Sequence, residues 1–252
     1  MILYFSGTGN SKYVATLLSE QLGEQVMPMI GCDGKGIEDK RIIWVFPTYS
    51  WGVPPVVANV IKSISLSPDS RHFMVTTCGD DIGLCHKMWR KIIRGRGWKD
   101  VSTFSVTMPN SYVCMKGFDV DSEDLMRSKL AAAPDRVKEV AQRIESGEGG
   151  IDDVVKGSWA WIKTRIIYPY FVRFCMSPKG FEATETCVGC GKCVMRCPMG
   201  NIQMKDGRPV WGDNCAFCLA CYHQCSGHCG VRYGKETDGK GHYYLPKVKV
   251  PT

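Results

Sequence analysis

Eight cysteines in the last third of the chain fall into two runs of one form, and they limit the possible folds of that region more than any other feature. The first run is Cys187, Cys190, Cys193 and Cys197, with Pro198 behind it; the second is Cys215, Cys218, Cys221 and Cys225. Every cysteine of the second run stands 28 positions after its counterpart. Three thiolates at such intervals wrap one loop around three corners of a cubane, and the fourth corner must be reached from elsewhere. A duplicated C-x2-C-x2-C-x3-C is the ligand set of two 4Fe-4S clusters, the last cysteine of each run serving the other run's cluster. The expected sets are Cys187, Cys190, Cys193 and Cys225 for one cluster, and Cys215, Cys218, Cys221 and Cys197 for the other. Structural zinc is the competing reading, but ribbon-type zinc sites bring C-x2-C pairs about 15 to 20 residues apart, without a third and fourth close cysteine.

Over about residues 180–234 this stretch resembles the bacterial two-cluster ferredoxins. It departs from their pattern at Ser226, where a second proline is expected, and at Cys229, an extra thiol beside the second run. Cys229 is an alternative to Cys225 as a ligand; the 28-residue offset favours Cys225 and leaves Cys229 a bystander.

A chain of 252 residues with 44% hydrophobic content buries more core than these runs need, so the first 150 residues form something else. Fourteen cysteines do not make a disulfide scaffold when eight are spaced for iron, and a reducing cytoplasm is the expected location. Met1 runs straight into Ile-Leu-Tyr-Phe with no basic leader or cleavage site, so no secretory signal is expected. Without roughly 18 uninterrupted apolar residues, no transmembrane segment is expected either. The net charge is +7, with bases gathered at Lys87, Arg90, Lys91, Arg94, Arg96 and Lys99, at Lys163, Arg165 and Arg173, and in the tail. No nucleic-acid module accompanies them. The first group reads as the solvated face of a helix, and secondarily as a docking surface for an acidic redox partner.

In the N-terminal half, residues 2–5 read as a buried strand. The chain then passes through Ser6-Gly7-Thr8-Gly9-Asn10-Ser11 into a helix, where Val14, Leu17, Leu18 and Leu22 recur at helical spacing and Gly23 ends the pattern. Strand, small polar loop and helix present backbone N–H groups to an anion. The loop lacks the Gly-Lys-Ser/Thr of a Walker loop, and Lys12 stands where a dinucleotide fingerprint needs its third glycine. Its hydroxyls and the Asn10 amide suit a single terminal phosphate such as that of FMN. Further strands are expected near 24–29, 41–46, 71–77 and 101–107, with helices near 54–64 and 82–95, which argues a five-stranded, parallel, doubly wound α/β sheet. Such sheets bind ligands at the carboxyl ends of their strands, at the switch point between the first and third. There the sequence reads Pro47-Thr48-Tyr49-Ser50-Trp51-Gly52-Val53-Pro54-Pro55, two aromatics in a Gly/Pro-rich loop able to stack on an isoalloxazine.

The loops at 6–11 and 47–55 are similar to the FMN-binding loops of flavodoxins, over roughly residues 1–146. By that resemblance a third flavin loop follows the fourth strand, where Thr77, Cys78, Gly79, Asp80 and Asp81 stand; Gly79 would let the backbone approach the ring, and Asp81 is expected to cap the next helix. The loop Met108-Pro109-Asn110-Ser111-Tyr112 is a further candidate to close the site. Taken whole, the chain resembles the flavodoxin-ferredoxin fusion proteins of anaerobic bacteria and archaea. The implied architecture is a flavodoxin-like FMN-binding domain (1–147), an aromatic-rich linker (148–179), a small α+β bacterial ferredoxin-like domain (180–234) and a basic tail (235–252).

At the join, Asp121 and Ser122 can cap a helix that Pro134 interrupts and Gly147 ends, with residues 147–150 as a hinge. The aromatics Trp159, Trp161, Tyr168, Tyr170, Phe171 and Phe174, mixed with Lys163, Arg165 and Arg173, read as a linker packing one domain on the other, the alternative being an interfacial anchor. A flavin beside one-electron clusters makes an electron relay with external redox proteins as donor and acceptor. The rival is a flavin-dependent reductase of a small substrate, fed through the clusters; no acid or base is evident for it, and the five histidines form no catalytic pairing.

Overall fold

The computed structural model describes residues 1–225, 230–243 and 245, so the expectations for Ser226 and Cys229 lie outside the described residues. Strand β3 (Arg41–Pro47) shows how the N-terminal half is built. Successive side chains of a strand point to opposite faces. Ile42, Trp44 and Phe46 enter one buried cluster with Val57, Ile61 and Trp89, while Ile43 and Val45 enter another with Val14, Leu18, Val137 and Val140. Because both faces are covered, the strand reads as an unbroken apolar run. Around it lie β1 (Ile2–Tyr4), β2 (Val26–Pro28), β4 (Arg71–Cys78) and β5 (Lys99–Thr107), all parallel, in the order β2-β1-β3-β4-β5. Helices α2 (Pro55–Ser63) and α3 (Cys85–Gly95) supply the first cluster; α1 (Asn10–Leu22) and α4 (Glu123–Ser146) supply the second. This is the doubly wound α/β sheet expected.

The sheet has a sixth strand, where five were expected. β6 (Asp152–Asp153) pairs parallel with β5 at Thr103 and Phe104, within the stretch read as linker. Aspartate is a poor strand former, and the pairing is held by side chains: Arg90 Nη2 and the Thr103 hydroxyl donate to Asp152 Oδ1 at 2.8 and 2.6 Å. The expected solvated basic face holds at Lys87, Lys91, Arg94, Arg96 and Lys99, which are exposed, and is corrected only at Arg90. Arg90 is buried and pairs with both Asp100 and Asp152, and Arg94 donates to Asp100 at 2.7 and 2.9 Å. Residues 147–150 are likewise no hinge: Gly150 N donates to Val101 O (2.9 Å), and the Glu148 carbonyl accepts from the Ser102 hydroxyl (2.7 Å). Nor does Pro134 interrupt α4. It lies on the exposed side of a continuous 24-residue helix, where water can take the carbonyl bond its missing N–H leaves open. Ser122 caps that helix, while Asp121 accepts instead from Asn110 and Lys129.

Residues 160–175 form one helical run. α5 (Ala160–Ile162) and α6 (Tyr168–Tyr170) alternate with π-helical turns at Lys163–Ile167 and Phe171–Cys175. Pro169 cannot donate to the preceding turn, and a widened turn accommodates that loss. The small α+β unit follows. β7 (Phe181–Ala183) pairs antiparallel with β10 (Val231–Tyr233), and β8 (Ile202–Lys205) with β9 (Arg208–Trp211). The short helices α7 (Lys192–Arg196) and α8 (Ala220–His223) start 28 residues apart, as the cysteine runs do.

The two units are fastened by polar bonds and by the returning tail. His223 is fully buried; its Nδ1 accepts from Tyr243 N (3.0 Å), so its Nε2 carries the proton and donates to Ser111 O at 2.6 Å. The Tyr243 hydroxyl reaches Asn10 Oδ1, and Lys240 Nζ donates to Val113 O at 2.7 Å. Residues 240–243, expected as part of a basic tail, therefore pack back on the folded chain, and Tyr243 is fully buried.

Candidate functional site

Four loops meet at the carboxyl ends of β1, β3, β4 and β5, and the cysteine-rich unit packs against them. The first loop is pinned largely by its own polar side chains. Ser6 Oγ accepts from Gly9 N (3.2 Å), Thr8 Oγ1 donates to Ser111 Oγ (3.2 Å), and Ser11 Oγ bonds Thr77 Oγ1 (2.7 Å). Asn10 donates to Pro109 O (2.9 Å) and accepts from Tyr243. Asn10 and Ser11, expected as phosphate donors, are thus occupied with holding the loop, although both line a pocket of about 100 Å³ with Ser6, Gly7 and Thr8. Gly9 φ is +101°, a value that favours glycine.

The second loop carries local strain. Tyr49 and Gly52 exchange both backbone bonds at 2.9 Å, which leaves Ser50 (φ 42°) and Trp51 (φ 65°) as a two-residue turn with both members left-handed. Turns of this type prefer Asn-Gly; non-glycine residues there cost about 1–2 kcal/mol each. The helical run holds the turn in place. Thr164 Oγ1 donates to Trp51 O and accepts from Leu84 N, both at 2.8 Å; the Tyr168 hydroxyl donates to Val53 O at 2.6 Å. Lys163 Nζ lies 5.0 Å from the Trp51 ring centre and 2.6 Å from Asp81 Oδ2. Asp81 accordingly does not cap α3, whose N-cap residue is Leu84. It accepts from Gly83 N at 3.0 Å and anchors Lys163.

In the third loop a Cβ on Gly79 would overlap the Asn110 side chain. The closeness Gly79 permits is thus to Asn110, whose N and Nδ2 both donate to Asp121 (3.0 and 3.1 Å). Burial works against ionisation of Asp121, but hydrogen bonds from Lys129 and Asn110 outweigh it and hold the carboxyl below its ordinary range.

These loops enclose a cavity of about 560 Å³, a size suited to a cofactor-sized ligand. Of the residues singled out in the sequence, Gly7, Thr8, Pro47, Thr48, Tyr49, Ser50, Trp51, Gly79 and Asp80 line it. Thr77 and Cys78 line the smaller pocket beside it. Gly9 and Gly52 line neither: Gly9 faces Leu245, and Gly52 lies against the Tyr168 ring. The sequence reading missed the opposite wall. Phe217, Cys218 and Leu219 from the second cysteine run, and Ile167, Tyr170 and Phe171 from the helical run, complete the cavity. Tyr49 and Tyr112 both line the cavity, and their hydroxyls are buried with no hydrogen-bond partner among the described residues. A polar ligand such as a flavin fits that surplus of donors.

The cysteines gather in two sets. Cys187, Cys190, Cys193 and Cys225 ring one hollow, beside Gly230 and Met204. Cys197, Cys215, Cys218 and Cys221 ring another, beside Trp211 and Ile202. In each set the sulfurs stand around a shared hollow, as a multi-atom cluster requires. Backbone N–H groups of Asn201 and Phe217 approach Cys197 Sγ and Cys215 Sγ at 3.3 and 3.4 Å, an arrangement that suits thiolate acceptors. Burial pushes the bare Cys218 thiol up to about 12, so the sulfur would ionise only with a metal to bind.

Residues 179–226 match the family model of the 4Fe-4S dicluster domain. The cysteine-rich unit is an iron–sulfur domain. Among curated proteins none matches the chain. Solved structures similar to the N-terminal part include the Streptococcus pneumonia TIGR4 flavodoxin, 14% identical over 57% of this chain and 96% of that one, TM-score 0.40. The Fusobacterium nucleatum flavodoxin bound to flavin mononucleotide is 16% identical over 57% and 95%, TM-score 0.39. The rubredoxin oxygen:oxidoreductase of Desulfovibrio gigas is 15% identical over 58% and 36%, TM-score 0.37.

Proposed function

We propose that the protein is an electron relay, in which the cavity holds FMN, each cysteine set holds one 4Fe-4S cluster, and electrons are exchanged with external redox proteins. One observation carries this reading: Cys218 and Leu219 line both the cavity and the hollow of the second cysteine set. When bound, FMN supplies a centre that takes one or two electrons, and the clusters supply centres that pass one at a time.

The chain's own residues set the order and the surroundings. A Cβ on Gly7 would stand 2.3 Å from Cys218 O, so the phosphate-side loop and the cysteine wall are in direct contact. Tyr49, Phe171 and Phe217 keep water from the space between. The outer hollow opens differently: Cys190 is exposed, and Val188 (79% exposed) lines the same hollow. That face is where an external protein meets the relay. The sequence of centres is therefore cavity, inner hollow, outer hollow, partner.

Iron, sulfide and flavin quantitation of the anaerobically purified protein tests the reading, with about eight irons and one FMN expected per chain. Iron without flavin would remove the relay's inner end. Steady turnover of small acceptors with no protein partner would replace the relay by a flavin-dependent reductase.

A further inference from the structure

The helical run over residues 160–175 has an inner and an outer face, and only the inner one is satisfied. Thr164, Tyr168 and Phe171 point inward and make the contacts described above. Outward stand Trp159 (75% exposed), Trp161 (61%), Ile166 (55%) and Phe174 (62%). Holding the run in place does not require them. A helix face in water is ordinarily polar, and here the Phe174 ring lies 5.0 Å from that of Tyr170, itself 61% exposed, so exposed aromatics adjoin on this face and mark it as an interaction site.

Charge identifies what that surface meets. Residues 154–181 contain no Asp or Glu, whereas Lys156, Arg165, Arg173 and Lys179 are exposed. The Arg173 guanidinium lies 5.5 Å from the Phe174 ring centre, so base and aromatic share one ridge. Tryptophan and tyrosine favour the lipid–water boundary, and basic side chains beside them meet anionic headgroups. Among the described residues no helix is long and apolar enough to cross a membrane. We propose that this face docks the protein on the surface of an anionic lipid bilayer. Ile167 and Tyr170 of the same run line the cavity, and the Tyr170 ring lies 5.0 Å from that of Phe174, so the bilayer would adjoin the cavity's edge. The inference is independent of the relay reading, since it uses no cofactor.

Co-sedimentation of the full-length protein with vesicles tests it, using phosphatidylcholine alone or mixed equally with phosphatidylserine. Binding to the mixed vesicles at low salt, with blue-shifted tryptophan emission, is expected, and little binding to the neutral ones. Each basic residue lost should weaken partitioning about fivefold, so Arg165→Gln with Arg173→Gln should lower it roughly 25-fold. Trp161→Ala with Phe174→Ala, all on the exposed face, should abolish binding while leaving the circular dichroism unchanged. Protein that stays in the supernatant with both vesicle types overturns the proposal and gives the face to a protein partner. So does binding that neither double variant weakens.

Discussion

Replacing Thr164 by Val removes one oxygen while keeping the side chain's shape, and that oxygen joins three segments. It accepts from Leu84 N and donates to Trp51 O, tying the helical run to the loops after β4 and β3. Thr164 is only 2% exposed, so water does not readily replace it. Leaving a buried donor or acceptor unpaired costs about 1–3 kcal/mol; two such groups, both part-buried, give a destabilisation of about 2–4 kcal/mol. For a chain of this size each kcal/mol lowers the melting temperature by about 2–4 °C, so Thr164→Val should melt roughly 5–15 °C lower. Thr164→Ser keeps the oxygen and loses one methyl group, about 1 kcal/mol, and should melt only a few degrees lower. Differential scanning fluorimetry on both variants reads the difference. The strained turn at Ser50 and Trp51 depends on the same bond, so flavin retention should fall in the Val variant and persist in the Ser variant. If Ser were as damaging as Val, packing of the methyl group would explain the site, and the hydrogen-bond argument would fail.

His72 and His86 are fully buried, and desolvation lowers each pKa to about 4. The unfolded chain takes these protons near pH 6.5 and the native one only near pH 4, so stability is full above about 6.5 and falls through that window. Each histidine contributes a slope of up to about 1.4 kcal/mol per pH unit; urea midpoints should show His86→Leu with roughly half the wild-type acid loss from these two groups. Gly7→Ala would force its loop away from Cys218 O. Overpacking of this kind costs about 1–3 kcal/mol, so FMN should bind roughly five- to a hundredfold more weakly, measured as flavin bound per chain. Stripping iron with a chelator should collapse amide-exchange protection in β7 to β9 and α7 while β3 and β4 stay protected, because metal binding would supply that small unit's folding energy; uniform loss across both units would contradict it.

The legible parts of the fold are those written in local pattern. β3 and β4 are apolar on both faces, α1 ends at Gly23 in the left-handed region, and the helix starts of the small unit repeat with the cysteines. What escaped notice depends on partners distant in sequence. Asp152 becomes a strand residue only because Arg90 and Thr103 hold it, and Arg90 looks like a solvent-facing base until its two aspartates are placed. Likewise nothing near Tyr243 predicts that its hydroxyl would reach Asn10, 233 residues away.

The far wall of the cavity did leave a signal in the sequence, in the imperfection of the repeat. Gly189 and Gly191 adopt φ of 67° and 69°; 28 positions later Phe217 and Leu219 adopt 53° and 61°. The duplicated loop keeps its backbone path, but the second copy accepts a strain of about 1–2 kcal/mol per residue that glycine would avoid. Such strain persists where surrounding structure over-determines it, often at functional sites. Here the side chains account for it. Phe217 packs edge-on against Phe171, Phe181 and Tyr233, and with Leu219 it walls the cavity. The first copy has no such duty, since its loop faces solvent at Val188 and Cys190. The two copies differ where one looks outward and the other looks toward the N-terminal half, so the residues that break the repeat are those that join the two units.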